Sequence, residues 1–128
     1  MTSKKDRYTV FISHANPADN QFTAWLASRL SILGYQVWAD LEDLRGGNKH
    51  WRVIEETILH EAAKVLVVTT RAGRRAEGVE QEINIAKGVE RELGLETFII
   101  QLRVDDLPYT QLFPTLNNRI AISFTENW

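Results

Sequence analysis

The sequence contains no cysteine among its 128 residues, and it has only three prolines, three histidines and one methionine. Without cysteine the chain forms no disulfide, no thiolate nucleophile and no thiolate metal site. Such a composition is compatible with a reducing compartment, and we expect a cytoplasmic protein. His50 and His60 have no neighbours at metal-ligand spacing, so we expect no metal site.

An excess of one charge and long apolar runs are also missing. Lys and Arg together number 15 and Asp and Glu 17, a formal net charge of −2. This balance lacks the basic excess typical of nucleic-acid binding, so we expect no direct contact with nucleic acid. The N-terminus is polar, and no apolar run approaches the roughly 20 residues that a membrane helix needs. The length predicts one domain with its own core, able to serve as a module of a longer protein or complex.

Strand-like and helix-like segments alternate along the chain. Apolar runs predict strands over residues 8–13, 35–39, 64–70, 97–102 and 119–124. Helical periodicity predicts helices over residues 18–33, 50–61 and 78–93. The third strand is apolar on both faces, which is typical of the middle of a parallel sheet. This order predicts an α/β fold, with a five-stranded parallel sheet flanked by helices on both faces and joined by right-handed crossovers.

Local signals refine the element ends. Asn16 and Pro17 are predicted to be the N-cap and the first position of the first helix, and Gly34 to end it. The stretch 71–77 is predicted to be a basic loop.

Polar side chains follow the first predicted strand. Ser13 and His14 end that strand, and in an open α/β sheet ligands bind beyond the carboxyl ends of strands. Two glutamates, Glu55 and Glu82, interrupt otherwise apolar helix faces, and periodicity does not choose between them. The alternative to a functional role for Glu82 is an ion pair with one of the arginines at 71, 74 and 75, or simple solvation.

The sequence argues against two other function classes, the NAD-dependent dehydrogenases and the phosphate-accepting receiver domains. The pair Gly46-Gly47 lacks the G-x-G-x-x-G spacing of a dinucleotide-binding turn and follows the second strand, which argues against a dehydrogenase. A flavodoxin-like receiver domain needs a phosphoacceptor aspartate at the end of the third strand, where this chain has Thr69-Thr70.

Three segments carry a family resemblance. They are the strand end Phe11-Ile12-Ser13-His14, the loop of residues 40–47 after the second strand, and residues 77–86 of the third helix, where a glutamate is followed four residues later by a small residue. Together they resemble Toll/interleukin-1 receptor (TIR) domains of the bacterial defence type. They are most similar to TIR domains that accompany short prokaryotic Argonautes.

The resemblance implies the flavodoxin-like TIR fold and leaves two function classes open. Many similar domains cleave NAD⁺ at the nicotinamide–ribose bond, releasing linear or cyclic ADP-ribose, and are activated by TIR–TIR assembly in anti-phage and anti-plasmid defence. NAD⁺ is then the substrate, and no separate cofactor is expected. Other family members are non-catalytic adaptors that act through TIR–TIR contacts.

The resemblance also assigns site residues. Glu82 takes the place of the family's catalytic glutamate. Members often have a tryptophan four residues earlier, where this chain has Gly78, so Trp38 or Trp51 is expected to supply the ring from the other side of the cleft. The expected substrate-binding residues are Ser13, His14, Ala15, Asn16, Trp38, Asp40, Leu44, Gly47 and Trp51.

Overall fold

The fold is an alternating series of parallel strands and helices. The computed structural model describes residues 7–39, 48–113, 116, 121–124 and 128. The strands are β1 (Thr9–Ser13), β2 (Gln36–Ala39), β3 (Ala62–Thr69), β4 (Ile99–Arg103) and β5 (Ala121–Ser123). The helices are α1 (Asn20–Ile32), α2 (Asn48–Glu56), α3 (Arg71–Arg75) and α4 (Glu77–Leu93). α2 runs directly into a π-helical segment, Thr57–Glu61, and a 3₁₀ turn covers Tyr109–Gln111.

The five strands form one parallel sheet in the order β2-β1-β3-β4-β5, which confirms the predicted architecture. β3 lies in the middle, as its apolar sequence predicts. Phe11 of β1 pairs with Trp38 on one side and with Val65 on the other. From β1 the chain adds β2 on one side of the sheet and then β3, β4 and β5 on the other, so the topological switch point lies between β1 and β3. Open α/β sheets bind ligands at such a point.

Two apolar clusters cover the two faces of the sheet. Phe11 packs in a cluster with Ile58 and Ile83, which come from the π-helical segment and from α4. The next residue, Ile12, packs with Phe22 of α1 in the other cluster. Because successive strand residues point to opposite faces, α1 covers one face, while α2 and α4 cover the other. Within the described residues, no helix combines the length and apolar character needed to cross a membrane.

Two local predictions were wrong. The N-cap of α1 is Asp19 and not Asn16, because the chain turns over residues 16–19 before the helix begins. The predicted loop at 71–77 contains helix α3. Thr70 caps this helix, since its Oγ1 accepts a 2.9 Å hydrogen bond from the backbone N–H of Gly73. The end of α1 was predicted correctly, since Gly34 follows it with a φ of +96°.

Candidate functional site

A cavity of about 210 Å³ lies where the carboxyl end of β1 meets the start of α4. It therefore lies at the switch point of the sheet. Its described lining residues come from the β1 end (Ile12, His14, Ala15 and Asn16), from β2 (Trp38), and from the start of α4 and the residue before it (Ala76, Gly78, Val79 and Glu82).

Glu82 is the acidic residue among those described as lining this cavity. Its side chain is only 8% exposed, because the buried residues Val79, Ile83 and Ala86 fix the same side of α4 against the sheet. Of the described residues that line the cavity, Glu82 alone is acidic. The geometry therefore favours Glu82 over Glu55 as the glutamate of the site.

Ser13 holds the Glu82 carboxylate in place. Its hydroxyl donates a 2.6 Å hydrogen bond to Oε1 of Glu82, and the serine itself is fully buried. A hydroxyl bonded to an ionised carboxylate makes a short, strong hydrogen bond. Glu82 itself lines the cavity, so the bond from Ser13 joins the buried end of β1 to the cavity wall.

A short polar chain orders the β1 side of the cavity. Nε2 of the buried His14 lies 2.9 Å from Oδ1 of Asn20, in the first turn of α1. Nδ2 of Asn20 in turn donates a 3.2 Å hydrogen bond to Oδ1 of Asn16. Asn20 thus links two residues of the cavity wall. No sequence pattern indicated Asn20, because Asn16 lies in the turn before α1 and not on the same helix.

Trp38 gives the cavity an aromatic wall. Its ring stacks on Phe11 with centroids 5.0 Å apart and planes only 5° from parallel. Phe11 is 1% exposed, so it is a fixed support for the indole. On the α4 side, Gly78 has no atom within 4 Å of the place where a Cβ would lie. Trp38, one of the two residues predicted to supply this ring, therefore lines the same cavity as Glu82.

Asp19 connects the start of α1 to the end of β3. Its Oδ2 accepts a 2.7 Å hydrogen bond from the Thr70 hydroxyl. Burial raises the pKa of the Asp19 carboxyl above its ordinary value, while the hydrogen bond from Thr70 and the nearby His14 oppose that shift. Nothing in the sequence pattern indicated this link, because the two residues are 51 positions apart.

The cavity brings together five of the predicted site residues: His14, Ala15, Asn16, Trp38 and Glu82. Ser13 joins them through Glu82. Three others, Asp40, Leu44 and Gly47, lie outside the described residues. Trp51 lies in α2, but its side chain is likewise outside what the structure describes.

Two of the three arginines that could have paired with Glu82 have other partners. Arg71 forms an ion pair with Asp106 at 3.2 Å, and Nε of Arg74 donates to the backbone oxygen of Gln111 at 2.7 Å. Among the described residues, no three His, Asp or Glu side chains lie close enough together to hold a metal ion.

Comparison with known proteins shows which family the chain belongs to. The profile described as "TIR domain" matches residues 10–128. The chain belongs to the TIR domain family. This TIR domain is 34% identical over 122 residues to the uncharacterized protein y4cD of Sinorhizobium fredii (strain NBRC 101917 / NGR234). That match covers 95% of the chain and 19% of the relative, so the chain spans about a fifth of the relative's length.

The TIR fold also has a solved counterpart. The TIR domains in the structure of the activated Roq1 resistosome, which directly recognizes the pathogen effector XopQ, superpose with a TM-score of 0.60 at 18% identity. The superposition covers 77% of this chain and 59% of the other. At this identity the likeness supports the fold alone.

Proposed function

We propose that this TIR domain is an NAD⁺ glycohydrolase that cleaves the nicotinamide–ribose bond, with Glu82 as its catalytic carboxylate. The observation that carries the proposal is the buried carboxylate itself, which is held by Ser13 and faces a cavity at the switch point of the sheet. A strongly desolvated carboxylate in a concave site is a candidate for chemistry rather than for stability.

The reaction requires only one catalytic carboxylate from the protein. Nicotinamide in NAD⁺ is a cationic pyridinium, so when the bond to ribose C1′ breaks, the electron pair goes to the ring nitrogen and nicotinamide leaves neutral. No acid has to protonate the leaving group, and the usual pair of glycosidase carboxylates reduces to one. Glu82 stabilises the positive charge that develops on the sugar, and a carboxylate does this most strongly where water is excluded.

The second half of the reaction consumes the sugar cation. A water oxygen adds to C1′ and loses a proton to solvent, which gives ADP-ribose. Capture of C1′ by a nucleophile of the same molecule gives a cyclic product instead. NAD⁺ is the substrate in both cases, and we propose no separate cofactor and no metal.

Trp38 is proposed to hold the nicotinamide ring. An aromatic face attracts cations, and the pyridinium is cationic only until the bond breaks. The indole stacked on Phe11 is a flat, fixed surface of this kind on the wall of the cavity. His14 and Asn16, ordered by Asn20, are proposed to contact the ribose and phosphates.

The biological setting is part of the same proposal. We propose that TIR–TIR assembly activates the domain, as one module of a longer protein or complex, in cytoplasmic bacterial defence against phages and plasmids. The greater length of the Sinorhizobium relative supports the part of this proposal in which the domain is one module of a longer protein. A short Argonaute or another sensor is the proposed partner, with no direct contact of this domain with nucleic acid or membrane.

The test is release of nicotinamide from NAD⁺ by the domain, alone and as a tethered tandem repeat that raises the local concentration. The proposal predicts release that rises more steeply than linearly with protein concentration and is enhanced by tethering. No release in any assembled state would contradict it. That result would favour the alternative of a non-catalytic signalling domain that acts through TIR–TIR contacts.

A further inference from the structure

A second cavity, of about 330 Å³, lies beside helix α3. Three arginines line it together with a leucine and a glutamine: Arg71, Arg74, Arg75, Leu107 and Gln111. None of these described lining residues is acidic. The whole chain is slightly acidic, with a net charge of −2, so this concentration of cations is local.

Arg74 is held in a fixed orientation. Its Nε donates a 2.7 Å hydrogen bond to the backbone oxygen of Gln111, and its guanidinium lies 5.0 Å from the centroid of the Phe113 ring. Phe113 is buried, so it anchors the guanidinium plane. In the described part of the chain, the two terminal amino groups of Arg74 have no hydrogen-bond acceptor.

The other two arginines differ from each other. Arg71 is already engaged, since its guanidinium pairs with Asp106 and its backbone N–H donates to Asp105. Arg75 is exposed, and it has no ion pair or hydrogen-bond acceptor among the residues of the described ranges. The cavity therefore presents two uncommitted guanidinium groups, one of them preorganised.

This arrangement fits a phosphate group. A guanidinium presents parallel N–H donors that match two oxygens of a phosphate, and two guanidiniums together match the charge of a phosphate dianion. The cavity volume is at the lower end of the range of small-molecule sites, roughly 300–1,000 Å³. It therefore has room for an esterified phosphate as well as for the free ion.

We propose that Arg74 and Arg75 form a binding site for a phosphate group, distinct from the Glu82 cavity and next to it. Ala76, the residue after Arg75, lines the Glu82 cavity, so consecutive residues line the two cavities. The phosphate can belong to a nucleotide that extends from the first cavity or to a separate phosphate ester. The proposal rests on the arginines alone and not on cleavage of NAD⁺.

The experiment is calorimetric titration of the domain with pyrophosphate. The variants are Arg74→Gln and Arg75→Gln, and the matched control is Arg91→Gln, an exposed arginine in the last turn of α4. Each pocket variant is expected to weaken pyrophosphate binding about tenfold, since a charge-assisted hydrogen bond contributes about that much. The control variant should bind like the wild type, and thermal melting should confirm that all three variants are folded.

Two results would overturn the proposal. One is no pyrophosphate binding by the wild type at millimolar ligand. The other is folded Arg74→Gln and Arg75→Gln proteins that bind like the Arg91→Gln control. Arginine-dependent binding in a protein that never releases nicotinamide would retain this site and reject the proposed function.

The source of the phosphate is distinguished by a second titration with ADP-ribose. Displacement of pyrophosphate by ADP-ribose, weakened by Trp38→Ala, identifies the phosphate as part of a nucleotide that spans both cavities. Simultaneous binding of the two ligands identifies a separate phosphate ester. Both results support the site, provided that binding depends on Arg74 and Arg75.

Discussion

The hydroxyl of Ser13 donates a 2.6 Å hydrogen bond to Oε1 of Glu82. This bond joins the last residue of β1 to the second turn of α4, across 69 positions of sequence. It restrains the orientation of a carboxylate that lines the cavity. The proposed chemistry depends on that orientation, because the charge on the sugar develops at one point in space.

Replacing Ser13 by alanine should therefore lower kcat for nicotinamide release more than it raises KM. A hydrogen bond to a charged group contributes about 1.5–3 kcal/mol, which corresponds to a loss of about 10- to 100-fold in rate. The measurement is steady-state nicotinamide release, with Ser28→Ala as the control, because the Ser28 hydroxyl bonds only within α1. An unchanged kcat in a folded Ser13→Ala protein would show that the bond does not position Glu82.

Removing the indole of Trp38 should weaken substrate binding. Trp38→Ala loses both the stacking on Phe11 and the proposed surface for the pyridinium, and we expect KM to rise roughly tenfold. Trp38→Phe keeps an aromatic face and should recover most of the affinity. Steady-state kinetics of the two variants measure these KM values. Equal KM values for Trp38→Ala and wild type would remove the indole from the binding site.

Replacing Gly73 and Gly88 by alanine should change the free energy of unfolding in opposite directions. At Gly73 a Cβ would lie 2.8 Å from the backbone oxygen of Val68, so Gly73→Ala forces a backbone shift and should destabilise the fold by about 1–3 kcal/mol. At Gly88, an exposed position inside α4, a Cβ meets nothing within 4 Å. Gly88→Ala should stabilise by about 0.5–1 kcal/mol. Urea denaturation of both variants measures these free energies, and equal effects would contradict the packing described for α3.

The raised pKa of Asp19 predicts a pH-dependent stability. Because burial raises its pKa above the ordinary value of 3.8, the folded protein holds the proton to higher pH than the unfolded chain does. The contribution is fully present below pH 3.8 and is lost as the pH rises through the folded pKa. Its neighbours His14 and Asp105 shift the pKa of Asp19 in opposite directions, down and up respectively.

The variant Asp19→Asn isolates this contribution, since its amide stays neutral and its oxygen still accepts from Thr70. The free energy of unfolding of the wild type, minus that of Asp19→Asn, should fall as the pH rises from 3.8 towards neutrality. Urea denaturation across this range measures the difference. A difference that rises with pH would mean that the folded pKa of Asp19 is lowered and not raised.

Most of the fold could be predicted from local patterns. The apolar residues of β3 indicated its central place, and helical periodicity located α1 and α4, because burial on one or both faces leaves a direct trace in the sequence. Helix α3 was missed since it is only five residues long and contains a glycine, so it has no apolar periodicity. Its cap, Thr70, looked like the continuation of a strand.

The site was predictable in part. The strand end at Ser13 and His14 pointed to the edge of the sheet where the cavity with Glu82 lies, while the choice of Glu82 came from the family resemblance and not from periodicity. The bond between Ser13 and Glu82 and that between Asp19 and Thr70 are tertiary contacts, which no local pattern encodes. The predictions for Asp40, Leu44 and Gly47 stay predictions, since these residues lie outside the described ranges.

The most direct test of the account compares nicotinamide release from NAD⁺ by tethered wild-type, Glu82→Gln and Glu55→Gln domains. Glutamine keeps the size of Glu82 and an oxygen that accepts from Ser13, but it removes the charge. The account predicts that Glu82→Gln loses at least about 100-fold in rate, since it lacks the stabilisation of the sugar cation, while Glu55→Gln turns over like the wild type. Release by folded Glu82→Gln at the wild-type rate would contradict the account.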